Sequence, residues 1–308
     1  METLIEALER IMNWLREHQP DYAASFLPGL KYSEIQAAET ELGFKLPPEI
    51  YELYQWRNGT EEDAKAVCFP TMQFLPLSTA MECSQGWNGY ILEEKTIIED
   101  SKWYETSPLF IFLEDNCDSC GIPIVDYQIE KSPVVVLGEG EMPHIFYTSL
   151  TDMMLTLAEC YETNAYYLDK DGYIEEDECK AAVALRKYNS DINKTAVSIF
   201  QSILLEPLDF STLDYSNSKL LGQVAEVTTV ISRFKDPRSV DVLLEALQIS
   251  SQAKGLGRDG VCSWVIKALG EMSDVRVLQP LTNALQDDSS FVRKEAQEAL
   301  SKFRYNMG

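Results

Sequence analysis

Positively charged side chains are scarce in this sequence. Its 308 residues include 26 lysines and arginines against 50 aspartates and glutamates, which gives a formal net charge of −24. A chain with this balance repels phosphate backbones and anionic lipid surfaces. We therefore expect neither a nucleic acid nor a membrane as its partner.

Histidine is rarer still, with two in the whole chain, His18 and His144. His18 ends a polar helical segment and His144 opens a strand, which predicts a surface or rim position for each. Neither stands in a serine or cysteine context typical of a catalytic triad. Because no acid, base and nucleophile cluster in the sequence, we predict a protein without enzymatic activity and without a cofactor.

Cysteine pairs and long apolar runs are also missing. The seven cysteines are an odd number without a paired spacing, and the N-terminal segment lacks the uninterrupted apolar core that export needs. Both features fit the reducing cytoplasm, which is the expected location. No segment approaches the roughly 20 apolar residues of a membrane-spanning helix.

The acidic residues that the chain does contain are unevenly distributed. Residues 1–190 hold 13 basic and 35 acidic side chains, whereas residues 191–308 hold 13 and 15. One interpretation is a solvated surface that keeps the protein soluble. The other is an acidic face for a basic protein partner.

The segment 29–59 contains the clearest signals of local structure. Ser33 and Gln36 are spaced as a capping box for a first helix, and Gly43 is placed to end it. The pair Pro47-Pro48 predicts the start of a second helix. The buried side of that helix is predicted to carry Ile50, Leu53, Tyr54 and, near its end, Trp56.

This segment resembles the SUKH superfamily, whose members include bacterial immunity proteins and a yeast cell-wall synthesis regulator. The resemblance extends from Trp14 to about Tyr161 and is carried by Gly29, Ser33, Ile35, Glu39, Leu42-Gly43, Leu46-Pro47, Leu53-Tyr54 and Trp56-Arg57-Asn58-Gly59. It implies that these residues build the fold. It also implies a function in binding rather than in chemistry.

Four strand candidates follow, between two helical segments. They are residues 109–113, 122–129, 133–137 and 144–147, with apolar runs bounded by turn residues. Helical spacing is present before them, at 78–87, and after them, at 149–161. The pattern predicts a SUKH-like α+β domain over residues 1–190, with a small sheet flanked by helices and a helical connector at its C-terminal end.

The remaining residues, 191–308, have a helical pattern that repeats. Residues 236–248 align with 274–286, a shift of 38 residues. A period of this length indicates stacked helical hairpins. Residues 196–303 resemble HEAT repeats of the short bacterial type found in phycobilin lyases, which implies an all-α HEAT-type superhelix of about three hairpins.

Two short motifs match chemical sites by letter. Gly255-Leu-Gly257-Arg-Asp-Gly260 has dinucleotide-fingerprint spacing, but no strand precedes it, so a hairpin loop is the better interpretation. Cys117-Asp-Ser-Cys120 has the spacing of half a zinc site. Since no second pair follows, a turn with two incidental thiols is preferred.

The acidic segment around Gly172 resembles a calcium-binding loop. With Gly172 at loop position six, the candidate ligands are Asp169, Asp171, Glu175 and Glu178. Position one is Tyr167, which cannot contribute a carboxylate. The simpler interpretation is an acidic turn between two helices, with Gly172 in the left-handed conformation.

The resemblance and the charge together predict a cytoplasmic, non-enzymatic binding protein. Its role would be immunity against a toxin domain or a related scaffolding role, with acidic loops covering the basic surface of the partner. The candidate partner-binding residues lie on loops at helix and strand ends: Glu61, Glu62, Asp63, Glu114 and Asp115.

Two alternatives remain open from the sequence. The repeats suggest an accessory subunit or a lyase of bilin attachment, although few repeats are present. The acidic segment around Gly172 suggests a calcium-responsive adaptor.

Calcium titration separates a sensor from a plain binding module. We expect no saturable heat in calorimetry at micromolar calcium, and no rise in the unfolding temperature beyond what magnesium gives, because the usual first ligand is missing. A saturable, calcium-selective site that disappears in Glu178→Gln would overturn this expectation.

Overall fold

The computed structural model describes residues 2–61, 72–94, 108–115, 118–124, 132–138, 144–205, 219–254 and 256–306. The chain forms two compact units, the first ending at Asn189 and the second beginning at Ser190. Within the described ranges, no helix combines the length and the apolar character that crossing a membrane requires.

Along the chain, the first unit has helices before and after the strands of its main sheet. Its helices are α1 (Leu4–His18), α2 (Pro20–Ala24), α3 (Tyr32–Leu42), α4 (Pro48–Trp56), α5 (Leu77–Glu94), α6 (Leu150–Glu162) and the first part of α7 (Glu178–Leu205). Its strands are β1 (Phe26–Pro28), β2 (Arg57–Thr60), β3 (Gln73–Phe74), β4 (Leu109–Glu114), β5 (Asp118–Pro123), β6 (Val134–Gly138), β7 (His144–Tyr147), β8 (Tyr166–Leu168) and β9 (Ile174–Glu176). The predicted α+β architecture is confirmed.

Helix α3 begins earlier than its sequence suggests. The helix starts at Tyr32, and the carboxylate of Glu34 accepts a hydrogen bond from the backbone N–H of Lys31 at 2.8 Å. The predicted capping box of Ser33 and Gln36 is therefore wrong. A carboxylate is the stronger acceptor at the positive end of a helix, so Glu34 takes that role. The predicted end is confirmed, since Gly43 has a left-handed φ of 77°.

Two glycines allow close backbone contacts on either side of α4. A Cβ on Gly29 would lie 1.9 Å from the carbonyl oxygen of Gln55, and one on Gly59 would lie 2.3 Å from the backbone nitrogen of Pro76. Gly59 also has a φ of 75°, which side-chain-bearing residues rarely adopt. These contacts hold β1 and β2, which pair antiparallel, against the end of α4 and the start of α5.

The main sheet is antiparallel and has the order β3-β4-β5-β6-β7. Strand β5 covers Asp118–Pro123 rather than the predicted 122–129, of which residues 125–129 lie outside the described residues. The reason is a tight turn, in which Asp118 N donates to Asp115 Oδ1 at 2.7 Å and starts the pairing immediately. The other three predicted strands are confirmed within one residue at each end.

Helices cover the sheet and one another in the first unit. Helix α5 packs on β4, whose residues 109–113 are all buried, and α1 packs against α4 and α6. Trp56 lies in this core with 8% of its surface exposed. Its Nε1 donates to Glu9 Oε1 at 2.7 Å, and its ring lies edge-on to Phe26 at 5.7 Å.

Helix α7 continues from the first unit into the second with a kink at Asn189, where φ is −125° and ψ is 26°. The buried Asn189 side chain is bonded to the first unit. Its Oδ1 accepts from Thr148 N at 3.0 Å, and its Nδ2 donates to Thr156 Oγ1 at 2.9 Å. The kink therefore coincides with the border between the units.

The second unit is entirely helical in its described residues. After the end of α7 it contains α8 (Lys219–Phe234), α9 (Val240–Gln252), α10 (Leu256–Glu271), α11 (Leu278–Ala284) and α12 (Ser290–Asn306). Helices α8, α10 and α12 pack side by side, with α9 on α10 and α11 on α12. This is the predicted arrangement of stacked hairpins.

The 38-residue repeat is visible in hydrogen bonds as well as in sequence. Asp236 accepts from the backbone N–H of Arg238 at 3.0 Å and also binds its guanidinium. Asp274 does the same with Arg276, with a backbone distance of 2.9 Å. Each pair caps a 3-10 turn that precedes α9 or α11.

We predict that each unit folds by itself, because each has its own buried core. Residues 1–189 and residues 190–308, produced as separate fragments, should each give a dispersed NMR spectrum and a cooperative thermal transition. A fragment 1–189 that stays unfolded in isolation would contradict the division of the core at Asn189.

We predict that Trp56→Ala lowers the free energy of unfolding of the first unit by about 3–5 kcal/mol, since it removes a buried ring. Hydrogen exchange of the α4 amides in the full chain measures this change. The matched variant Trp56→Phe keeps an aromatic ring at this position but loses the hydrogen bond to Glu9. Loss of that bond should lower the free energy of unfolding by about 0.5–1.5 kcal/mol, in addition to the effect of the smaller ring. Equal exchange rates in the alanine variant and the parent chain would disprove the structural role of Trp56.

Candidate functional site

The candidate partner-binding residues that the structure describes lie around one edge of the main sheet. Gln73 Nε2 donates to Thr60 Oγ1 at 3.2 Å and to the Glu61 carbonyl oxygen at 3.1 Å. In the pairing of β3 with β4, Gln73 lies opposite Glu114. The structure thus brings Glu61 and Glu114, which are distant in sequence, to the two sides of Gln73.

Glu61 is exposed directly after β2. Its backbone N–H donates to Ser25 O at 3.1 Å, which holds the residue at the end of the strand. Thr60, the last residue of β2, is fully buried, so the candidate loop begins at Glu61. The other two candidates of that loop, Glu62 and Asp63, lie outside the described residues.

Glu114 and Asp115 are only partly available to a partner. Glu114 is half-buried and accepts a hydrogen bond from Cys83 Sγ at 3.2 Å. Burial and this carboxylate together raise the pKa of the Cys83 thiol to about 12. One carboxylate oxygen of Asp115 is used in the turn to Asp118. Glu61 is therefore the most accessible of the described candidates.

Ion pairs join helices of the first unit away from this sheet edge. Arg10 binds Glu162 at 2.6 Å and Glu159 at 3.7 Å, and Lys187 binds Glu159 at 2.7 Å. These pairs join α1, α6 and α7. Other ion pairs of this unit are local, such as Arg16 with Glu9 on α1 and Lys180 with Asp177 just before α7. The negative charge of Glu61 and Glu114 is not neutralised in this way.

The calcium-like segment is a β-hairpin, not a loop between two helices. β8 pairs with β9 on either side of it, and Asp169 Oδ1 accepts from the backbone N–H groups of Asp171 and Tyr173, both at 2.8 Å. Gly172 has a φ of 87°, as predicted. The candidate ligands Glu175 and Glu178 lie on β9 and at the start of α7. In the described part of the chain, no group of three or more His, Cys, Asp or Glu side chains could hold a metal ion.

The two motif matches are explained by packing. Cys120 is buried in β5, which raises the pKa of its thiol to about 12 and disfavours the thiolate that zinc requires. Gly257 and Gly260 lie within α10 rather than in the predicted loop, and Arg258 between them forms an ion pair with Asp287. The first residue of each motif, Cys117 and Gly255, lies outside the described residues.

Two exposed tyrosines on the β8–β9 hairpin, Tyr167 and Tyr173, were not predicted from the sequence as functional residues. The residues on either side of the turn at 169–172 alternate in a way that is typical of two paired strands. The segment was expected to be a turn between two helices, so this alternation was not used.

Comparison with family models gives two matches. Residues 29–156 match the SMI1/KNR4 family (SUKH-1), and residues 223–301 match HEAT repeats. A search of curated proteins found no match. The first match covers α3 to α6 with the main sheet, and the second covers most of α8 to α12. Similarity to the SUKH-1 family thus lies within the first unit, and similarity to HEAT repeats lies within the second.

Proposed function

We propose that this chain is a non-enzymatic protein-binding module of the bacterial cytoplasm, and that it neutralises a toxin domain or acts as a scaffold. The SUKH-1 domain and the HEAT repeats support an interaction or immunity-type module. The observation that carries the proposal is the placement of Glu61 and Glu114 on the two sides of Gln73, in the half of the chain that holds 35 of the 50 acidic residues.

The mechanism is occlusion by charge and shape. Segment 61–63 follows β2 in the chain and carries three carboxylates, and Glu114 and Asp115 add two more at the end of β4. A basic surface that contacts nucleic acid or another anionic substrate fits such an edge. Once bound, the module covers that surface and blocks access to it. No residue of the module needs to perform chemistry.

Electrostatics also favours this class of partner kinetically. Complementary charge accelerates encounter and discriminates against acidic proteins, because like charges repel. The same charge opposes binding to nucleic acid and to anionic membranes. A basic protein is therefore the proposed partner.

We expect the chain to bind a toxin domain encoded next to its own gene, and to relieve the growth arrest that the toxin causes when the two are co-expressed. Affinity for the purified toxin domain should fall about tenfold or more in the triple variant Glu61→Lys, Glu62→Lys and Asp63→Lys, since three charge pairs become repulsive. Calorimetry at about 150 mM salt, where distant charges are screened, measures the change.

A matched control separates the site from the total charge. The triple variant Glu17→Lys, Glu41→Lys and Glu52→Lys changes the net charge by the same amount at exposed helix positions of the same unit. It should bind nearly as well as the parent chain. An equal loss of affinity in both triple variants would show that the sheet edge is not the binding site. A chain that neither binds the toxin domain nor relieves the growth arrest would refute the immunity role.

A further inference from the structure

The β8–β9 hairpin has two chemically different faces. Because side chains alternate along a strand and opposite residues share a face, Tyr166, Leu168, Ile174 and Glu176 point one way, and Tyr167, Asp169, Tyr173 and Glu175 point the other. The first set is buried or half-buried, whereas all members of the second set except the half-buried Asp169 are exposed. The second set is called the outer face below.

The outer face alternates aromatic and acidic side chains. Tyr167 lies opposite Glu175 in the strand pairing, and Asp169 N donates to Tyr173 O at 2.8 Å, which places Asp169 opposite Tyr173. The two tyrosines are therefore diagonal neighbours, at a separation that aromatic side chains span. Tyr173 is 66% exposed and Tyr167 is 38% exposed. Exposed tyrosines grouped in this way are typical anchors of protein interfaces.

The outer face is held in place before any partner arrives. Asp169 Oδ1 accepts from two backbone N–H groups of the turn, and Gln19 Nε2 donates to the Gly172 carbonyl oxygen at 3.0 Å, which ties the turn to the start of α2. A surface that is already ordered loses less conformational entropy on binding. The tyrosine rings are thus presented on a fixed backbone.

Charge selects the occupant of this face. The outer face carries the carboxylates of Asp169 and Glu175, Asp171 lies in the turn beside them, and Lys170, the basic residue of the turn, lies 3.9 Å from Asp171. Tyrosine rings attract guanidinium and ammonium groups through their π faces, and neighbouring carboxylates bind the same cations. We propose that the outer face of the β8–β9 hairpin is a docking surface for an arginine-rich segment of a protein partner.

This docking surface is distinct from the sheet edge at Glu61. It lies outside both family matches, since the first ends at residue 156 and the second begins at residue 223. The docking surface rests on the proposed function only because both expect a cationic partner. Its chemistry differs from that of the sheet edge, because uncharged tyrosine rings contribute to binding as well as carboxylates.

A fluorescent deca-arginine peptide tests the proposal on the full chain by fluorescence anisotropy at about 150 mM salt. The double variant Tyr167→Leu and Tyr173→Leu keeps the charge and apolar side chains but removes both rings. Loss of each ring should weaken binding about two- to fivefold, and loss of both about four- to twenty-fivefold. The double variant Tyr167→Phe and Tyr173→Phe keeps both rings and should bind within about twofold of the parent chain.

Two controls decide the interpretation. Tyr32, which is 57% exposed on α3, is a matched tyrosine outside the hairpin, and Tyr32→Leu should leave peptide binding unchanged. Equal thermal unfolding of all variants shows that the fold is intact. Leucine variants that bind as tightly as the parent chain, or an equal loss in Tyr32→Leu, would overturn the docking surface and leave the sheet-edge proposal standing. Ring-dependent peptide binding by a chain that binds no toxin domain would support the docking surface and reject the sheet-edge proposal alone.

Discussion

Backbone contact at two glycines is the constraint on which the first unit depends. Gly29 lies against the Gln55 carbonyl, and Gly59 lies against Pro76, so the chain segments before and after α4 are pressed together with no room for a Cβ. This contact pairs β1 with β2 and positions Asn58, whose Oδ1 accepts from Leu77 N at 2.9 Å and caps α5. The family signature is therefore a set of packing requirements. Residues of this kind identify the fold, but they do not indicate which partner is bound.

The acidic residues of the first unit divide into structural and available carboxylates. The buried Glu49 accepts from the backbone N–H groups of Leu150 at 3.3 Å and Thr151 at 2.9 Å, which stabilises the start of α6. Glu39 similarly accepts from Leu46 N at 2.9 Å. Such carboxylates are fully engaged by the fold. Glu61 after β2 and Glu175 on the outer face of the β8–β9 hairpin are exposed instead.

The second unit uses its charges differently. Glu271 accepts from Lys235 at 2.9 Å and from Lys302 at 2.6 Å, which joins the ends of α8, α10 and α12. Burial by itself would raise the pKa of Glu271, but the hydrogen bonds from the two lysines outweigh it and hold that pKa below its usual value. Opposite charges are thus matched inside the repeat stack, where neighbouring hairpins depend on each other. This unit is also nearly neutral, since residues 191–308 hold 13 basic and 15 acidic side chains.

Local chemistry in the sequence determined the helices, the repeat and the family. Gly43 ends α3, and the two Asp–Arg pairs recur 38 residues apart, because such features depend on near neighbours in the chain. The start of α3 was predicted wrongly because Glu34 rather than Ser33 supplies the capping side chain, and the bounds of β5 because its pairing begins at Asp118. Only the tertiary structure decided which carboxylates are exposed. It placed Glu61 beside Glu114 and turned Tyr173 outward, because strand pairing and burial bring together residues that the sequence keeps apart.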